Sequence, residues 1–337
     1  MFNWNKKEKP LLGLQGSGGG LGYLAGGGSA GPYAVEVKLW GGGGSASNRS
    51  SPVDNRGGGG ASFVKATFTA ASGTVLYAYV GKSVPHSSPA GDYALANSGG
   101  KGGPGPGDVG GPGGGHSFFT VSQPHPRAKG GSSPHDPYIM AVAAGGGGGS
   151  GSGQGGGGGV IGGTGGTGPG PAAYGRGGSP SSGGAGGPRG GEAGGFLYGG
   201  GGMPSNGGPG NPAQGGGGGG SGWYGGGGAS YHECCWAEAS GGGGGSSYGR
   251  SSHPAIESPL TFTSAAGANA LSGDAAAGGE PDPQWNGSAK YGRGKGDNSN
   301  SPGYDGRIII NYGPPSNVTQ NTVSFGYGGG DQSVTLP

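Results

Sequence analysis

Large apolar side chains are scarce in this chain. Val, Ile, Leu and Phe together make about 12% of its 337 residues, well under the roughly 20% that ordinary folded domains exceed. A side-chain core of that size is too small to offset about 1–2 kcal/mol of backbone entropy per residue over the whole chain. Cysteine is nearly absent too. The two present, Cys234 and Cys235, are neighbours in sequence and poorly placed to bridge each other, which excludes a disulfide framework. No run of 18 apolar residues occurs, so no membrane-spanning helix is expected. Met1–Leu14 carries lysines but no apolar stretch of seven, so no signal peptide is expected. Charge of either sign is sparse, with 18 basic against 16 acidic residues.

Glycine is what the chain has instead: 102 residues, with 27 prolines. Such a fraction without a period ordinarily flags disorder, but a net charge of +2 removes half of that signature. The glycines come in solid blocks, among them Gly41–Gly44, Gly57–Gly60, Gly145–Gly149, Gly155–Gly159, Gly199–Gly202, Gly215–Gly220, Gly225–Gly228 and Gly241–Gly245. Collagen, with glycine at each third position, is thereby excluded. A glycine block in polyproline II geometry makes no internal hydrogen bond and points its amides and carbonyls in three directions. Lacking Cβ atoms, such helices can pack backbone to backbone. Aromatic residues between the blocks, notably Trp223, Tyr224, Tyr231 and Trp236, suit gaps in such packing better than a linker. Gly215–Tyr248 is therefore expected to organise the rest.

Strands are expected where alternation appears. Ala34–Trp40 places Val35, Val37 and Leu39 on one face and Glu36 and Lys38 on the other. Ala61–Thr69 and Thr74–Val80 follow, joined by Ala71-Ser72-Gly73 and read as a tight antiparallel turn. His116–Val121, Tyr138–Ala144 and Gly306–Tyr312 are further strands, with short ones at Thr322–Phe325 and Ser333–Leu336. The expected organisation is an N-terminal arm (1–32), a glycine-rich β domain (33–312) with polar insertions at 81–137 and 251–306, and a C-terminal tail (313–337). The fold class is mainly β, an antiparallel sandwich joined to packed polyglycine II helices, with almost no helix of the α type.

The order of motifs carries a resemblance. V-x-V-x-L-W-G-G-G-G is followed by G-G-G-G-A-S-F-V and T-V-L-Y-A-Y-V-G. Then come I-M-A-V-A-A-G-G-G-G-G, G-G-G-G-G-S-S-Y and D-G-R-I-I-I-N-Y. From Tyr33 to Tyr312 the series resembles the glycine-rich domain of phage and bacterial surface proteins and of anaplastic lymphoma kinase-type receptors. It is also similar to the distal adhesins of T-even-like phages. The resemblance implies a virion protein of a tailed phage, made in the host cytoplasm and displayed as a tail fibre, spike or head projection that contacts the host. It implies association with other virion proteins and with copies of itself as a homotrimer. The host partner would be a surface glycan or outer-membrane protein, with no membrane insertion. The chain departs from the receptors in lacking their cysteines and a signal peptide, and from the adhesins in having no recognisable attachment domain. Two other readings stand beside it: a head decoration or tail adaptor without receptor contact, and a cellular glycine-rich surface or ligand-binding module.

The head of the chain offers Phe2, Trp4, Lys6, Lys7, Leu11 and Leu12 as a docking peptide for the virion. Rings and charges on loops held by a rigid support make recognition surfaces. Tyr174, Arg176, Phe196, Tyr198, Trp223 and Tyr224 are the candidates for host contact, the competing role being to plug the glycine packing. His232-Glu233-Cys234-Cys235 lacks zinc-ligand spacing, and the six histidines form no ligand pair. Arg176-Gly-Gly and Arg189-Gly-Gly are too few for RNA binding, so no nucleic-acid partner is expected. G-x-G-x-x-G matches are inevitable in this composition. No nucleophile–base pair or spaced carboxylate pair stands out. No enzyme activity, catalytic residue, metal or cofactor is expected.

Overall fold

A computed structural model describes residues 31–48, 57–85, 99–105, 109–124, 137–166, 173–204, 215–230, 239–269, 273–296, 301–327 and 332–337. The docking residues Phe2, Trp4, Lys6, Lys7, Leu11 and Leu12 lie outside that set, as do Tyr231, Trp236 and the His232–Cys235 cluster. The chain divides into two units, Met1–Gly31 and Pro32–Pro337, and everything below concerns the second.

The described residues are mainly β. Ten strands run in chain order as β1 (Tyr33–Trp40), β2 (Phe63–Ala70), β3 (Val75–Tyr79), β4 (Ser117–Val121), β5 (Ile139–Ala143), β6 (Tyr248–Gly249), β7 (Thr261–Ala265), β8 (Arg307–Gly313), β9 (Asn321–Phe325) and β10 (Gln332–Thr335). They form two five-stranded sheets, β7-β2-β1-β8-β9 and β10-β3-β4-β5-β6. Every pairing is antiparallel. No α-helix occurs among the described residues, and none is long and apolar enough to cross a membrane.

Alternation decides the inner faces. Val35, Val37 and Leu39 of β1 and Ile308 and Ile310 of β8 join Leu76, Phe119, Val121 and Met140 of the other sheet in one buried cluster. Phe68 and Phe119 stack across the two sheets with centroids 5.8 Å apart. The segment Ala71-Ser72-Gly73 does turn, with Thr74 N–H donating to Ala71 O and Gly73 at φ +79°, where only glycine sits without strain. It is not a hairpin, however. β2 pairs with β1 and β7, whereas β3 pairs with β10 and β4, so the turn carries the chain from one sheet to the other. Each strand already has better-matched apolar partners elsewhere, and an arch lets both bury the same face.

The polar face of β1 is covered as well. Segment 277–292 lies over it, burying Lys38 against Asp282 at 2.9 Å and placing Trp40 and Phe63 beside Ala277 and Trp285. Asn311 on β8 is buried and donates to Glu36. The two insertions therefore build the fold: 81–137 contains β4, and 251–306 contains β7 and this cover. Residues 313–337 supply β9 to one sheet and β10 to the other, with Leu336 buried.

Candidate recognition surface on a glycine lattice

Several strands run directly into glycine blocks: β1 into Gly41, β5 through Ala144 into Gly145, while Gly115 leads into β4 and Gly245 towards β6. A glycine run has no side chain to satisfy its neighbours, so every buried amide and carbonyl must find backbone. The partners alternate with a period of three. Gly145 and Gly148 donate to Ser221 and Gly218, Gly146 and Gly149 to Gly42 and Ser45, and Gly147 to Gly156. Within 215–221, Gly216 and Gly219 donate to Met203 and Gly200, Gly217 and Gly220 to Ser240 and Gly243, Gly218 and Ser221 to Gly111 and Gly114. The same run accepts from three more segments: Gly100 and Gly103, Gly145 and Gly148, Gly226 and Ala229.

Run 215–221 is thus ringed by six segments: 100–103, 111–114, 145–148, 240–243, 226–229 and 200–203. The ring closes on itself. Gly110 bonds to Gly103, Gly111 to Gly149, Gly242 to Gly148, Gly243 to Gly227, Gly200 to Gly226 and Gly202 to Lys101. Runs 145–149, 225–230 and 241–245 are enclosed in the same way. Spacing is set by backbone contact alone. A Cβ built on Gly219 falls closer than 3.0 Å to the Gly226 carbonyl, and one on Gly242 does the same at Gly218.

At the perimeter the register changes. In 162–166, Gly162 and Gly165 donate to Gly178 and Gly175, and Gly163 and Gly166 to Gly157 and Gln154, while Thr164 is exposed. Ala185 and Ala193 are exposed on neighbouring runs. Side chains outside the packed runs thus end the lattice. Other outward amides are met by side-chain acceptors: Glu192 takes the Gly201 amide at 3.0 Å and Asn269 the Gly157 amide at 2.7 Å.

The lattice has two ends. Gly41, Ser62, Gly115 and Ala144 lie at the sheet end, where Gly41 N–H bonds Ser62 O and Ser62 N–H bonds Ala144 O. Following the bonded registers away from the sheets leads to Asn48, Gly149, Gly166, Ala173, Met203 and Ser230. An aromatic joint locks the sheet end. Trp223 and Phe196 pack with Tyr79, Phe118, Ile139 and Val142, the outer face of the second sheet. Phe196 meets Trp223 edge-on at 4.8 Å and Tyr224 at 6.0 Å. Ser246 ties the joint further, accepting the Tyr224 amide and donating to Ser179 O.

The candidates for host contact separate on this geometry. Trp223 is buried, and Phe196 and Tyr224 are half-buried beside it, so these three form one plug. Tyr174 is half-buried on a different run. Arg176, on that run, and Tyr198, at the tip beside Phe196, are the exposed members. Sequence reading passed over Val160 and Ile161, 43% and 70% exposed on the turn between two glycine runs. Two apolar β-branched residues that interrupt a glycine block were the available signal.

The late basic residues are neutralised locally. Asp274 accepts from Lys290 Nζ at 3.0 Å and from the Tyr304 hydroxyl at 3.1 Å, with Lys295 Nζ at 3.6 Å. Burial pushes its carboxyl up, but the Lys290 and Gly296 hydrogen bonds and the two lysine charges outweigh this and hold it below the ordinary value. Glu280 takes the Arg293 guanidinium on both oxygens at 2.7 Å. Asp305 goes the other way. Burial raises it, against a hydrogen bond from the Ser83 amide and the charge of Lys82. Among the described residues no group of three or more His, Cys, Asp or Glu is placed to hold a metal ion.

No family model and no curated protein matches this chain. What the site can do rests on its own geometry. That geometry is a hydrogen-bonded, side-chain-poor lattice, plugged by rings at one end, whose exposed side chains, among the described residues, lie on its perimeter and turns.

Proposed function

We propose that this chain is a virion structural protein of a tailed bacteriophage, displayed as an exposed appendage (a tail fibre, spike or head projection) that contacts the host surface. In this reading the glycine runs are polyglycine II helices packed as a bundle. The observation that carries it is the closed ring of six segments around 215–221 with its three-way alternation of amides, the pattern that threefold polyglycine geometry supplies. Such a bundle is rigid without a large apolar core, which suits a protein that must hold recognition residues away from a particle. Arg176 and Tyr198 are the candidate host-contact residues that reach solvent. Their chemistry, a guanidinium and a phenol, fits a surface glycan or an outer-membrane protein loop. Phe2, Trp4, Lys6, Lys7, Leu11 and Leu12 are proposed to dock the arm to other virion proteins.

Electron microscopy of particles carrying a labelled copy of this chain tests the reading. Label at the tips of fibres or head projections supports it. Label flush with the shell or tail tube leaves a decoration or adaptor role and removes host contact. Absence of the chain from particles overturns the virion assignment and favours a cellular surface module.

A further inference from the structure

The free margins of the glycine lattice are blunted. The lattice perimeter ends in exposed Thr164, Ala185 and Ala193, or in amides taken by Glu192 and Asn269. Strand β7 is a sheet margin without such a device, as β9 is. It pairs with β2 on one side only and forms the margin of its sheet. Its residues Thr261, Phe262 and Thr263 are exposed. From Ser258 to Gly273 the chain carries no charged residue, and the strand itself contains no proline. Charges, prolines and bulges are the usual means by which a sheet margin avoids pairing with another chain. None is used here.

Apolar surface gathers at the same place. Phe262 is 39% exposed, and the Val160–Ile161 turn sits beside the end of the strand, where Ala266 approaches Gly159. Among the described residues, three of the four large exposed apolar side chains therefore lie on or beside this margin. The remaining one, Tyr198, lies at the exposed tip beside Phe196.

We infer that β7 is an interface between two copies of this chain, paired antiparallel to its own counterpart about a twofold axis at Thr263. Thr261 then lies opposite Ala265 and Phe262 opposite Ser264, and the two five-stranded sheets become one continuous sheet. No like charges meet, since Thr261–Ala265 carry none. The sheet also disfavours a ring. Its five strands are all antiparallel to their neighbours, so β7 and β9 point the same way. Joining β7 to β9 around an axis along the strands makes a parallel joint, slightly weaker per residue than the antiparallel joint of a twofold. The β9 margin, moreover, ends beside a charge, with Lys82 Nζ 5.1 Å from the Tyr327 ring. The favoured assembly is a pair in place of the homotrimer implied by the resemblance, and it stands whether or not the chain belongs to a virion.

The test uses the full chain. Sedimentation of the wild type should give twice the 31.6 kDa of one chain. Thr263→Lys sets two like charges face to face across the axis and should reduce the mass to one chain, with an unchanged β-sheet circular dichroism because the position is exposed in the single chain. In a Cys234→Ser/Cys235→Ser background, Thr263→Cys should oxidise to a covalent pair. Opposed Cα atoms in an antiparallel pair lie about 4.5–5.5 Å apart, inside the disulfide range. Ser324→Cys on β9 should not. A wild-type mass of one or three chains, or cross-linking at Ser324→Cys and not at Thr263→Cys, overturns the twofold at β7.

Discussion

Trp223 stacks on Tyr248 with ring centroids 3.8 Å apart and planes 8° from parallel. One ring closes a lattice turn, and the other opens the two-residue strand β6 of the second sheet. This pair ties material that has no side-chain core to material that has one. Truncating it tests whether the two parts unfold together. Trp223→Ala should cost about 3–5 kcal/mol, the usual range for a large buried ring, seen as a lower denaturation midpoint. Tyr198→Ala, at an exposed tip, should stay within about 0.5 kcal/mol. Two separate transitions in the Trp223 variant would show that the joint alone couples the parts.

Glycine positions should not be equivalent. Gly219→Ala forces a methyl group into the Gly226 carbonyl, backbone against backbone, with no flexible side chain to yield. Gly326 has nothing within 4 Å of where its methyl would sit. Thermal melting should show a large loss for Gly219→Ala and almost none for Gly326→Ala. Equal effects would mean that the interior runs are not packed.

Acid sensitivity should trace to the Asp274 cluster. Its folded carboxyl is held below the ordinary 3.8. The stability it contributes is present above that value and is lost as pH falls through the depressed folded one. Asp274→Asn should lower stability at neutral pH and flatten the decline below about pH 4, read from midpoints across a pH series. A decline as steep as in the wild type would place the acid-labile contact elsewhere.

Asp305 predicts the opposite sign. Burial raises its carboxyl, so its favourable contribution is complete at low pH and is lost as pH rises through the folded value. Asp305→Asn keeps an oxygen to accept the Ser83 amide and removes the buried charge. The variant should gain stability relative to wild type at neutral pH and lose that advantage in acid. Destabilisation at neutral pH would show that the charge itself, attracted by Lys82, is needed.

The sheets were largely legible because alternation is a side-chain signal. Val35, Val37 and Leu39 announced β1, and Ile308–Ile310 announced β8. Strand β6 has two residues and β7 mixes threonine, serine and alanine, so neither stands out from its loop. The Ala71–Gly73 turn looked like a hairpin because turn residues report the bend and not the sheet that receives the next strand. Segments 99–103 and 110–115 looked like polar insertion, since glycine carries no mark of which backbone it will meet. The Gly-Gly-Thr triplet at 162–164 carried a signal of its perimeter place that the sequence reading did not use. Trp223 and Tyr198 both looked like recognition residues. Only packing separates a ring that fills a joint from one that faces water.

The central claim is that the long glycine runs are an ordered, hydrogen-bonded interior and not linkers. Hydrogen–deuterium exchange followed by peptide mass spectrometry tests it most directly. Amides of 145–149, 215–221 and 241–245 should exchange as slowly as those of β1 and β8, through global unfolding. Exchange of these runs at the rate of free peptide, with the sheets still protected, would contradict it.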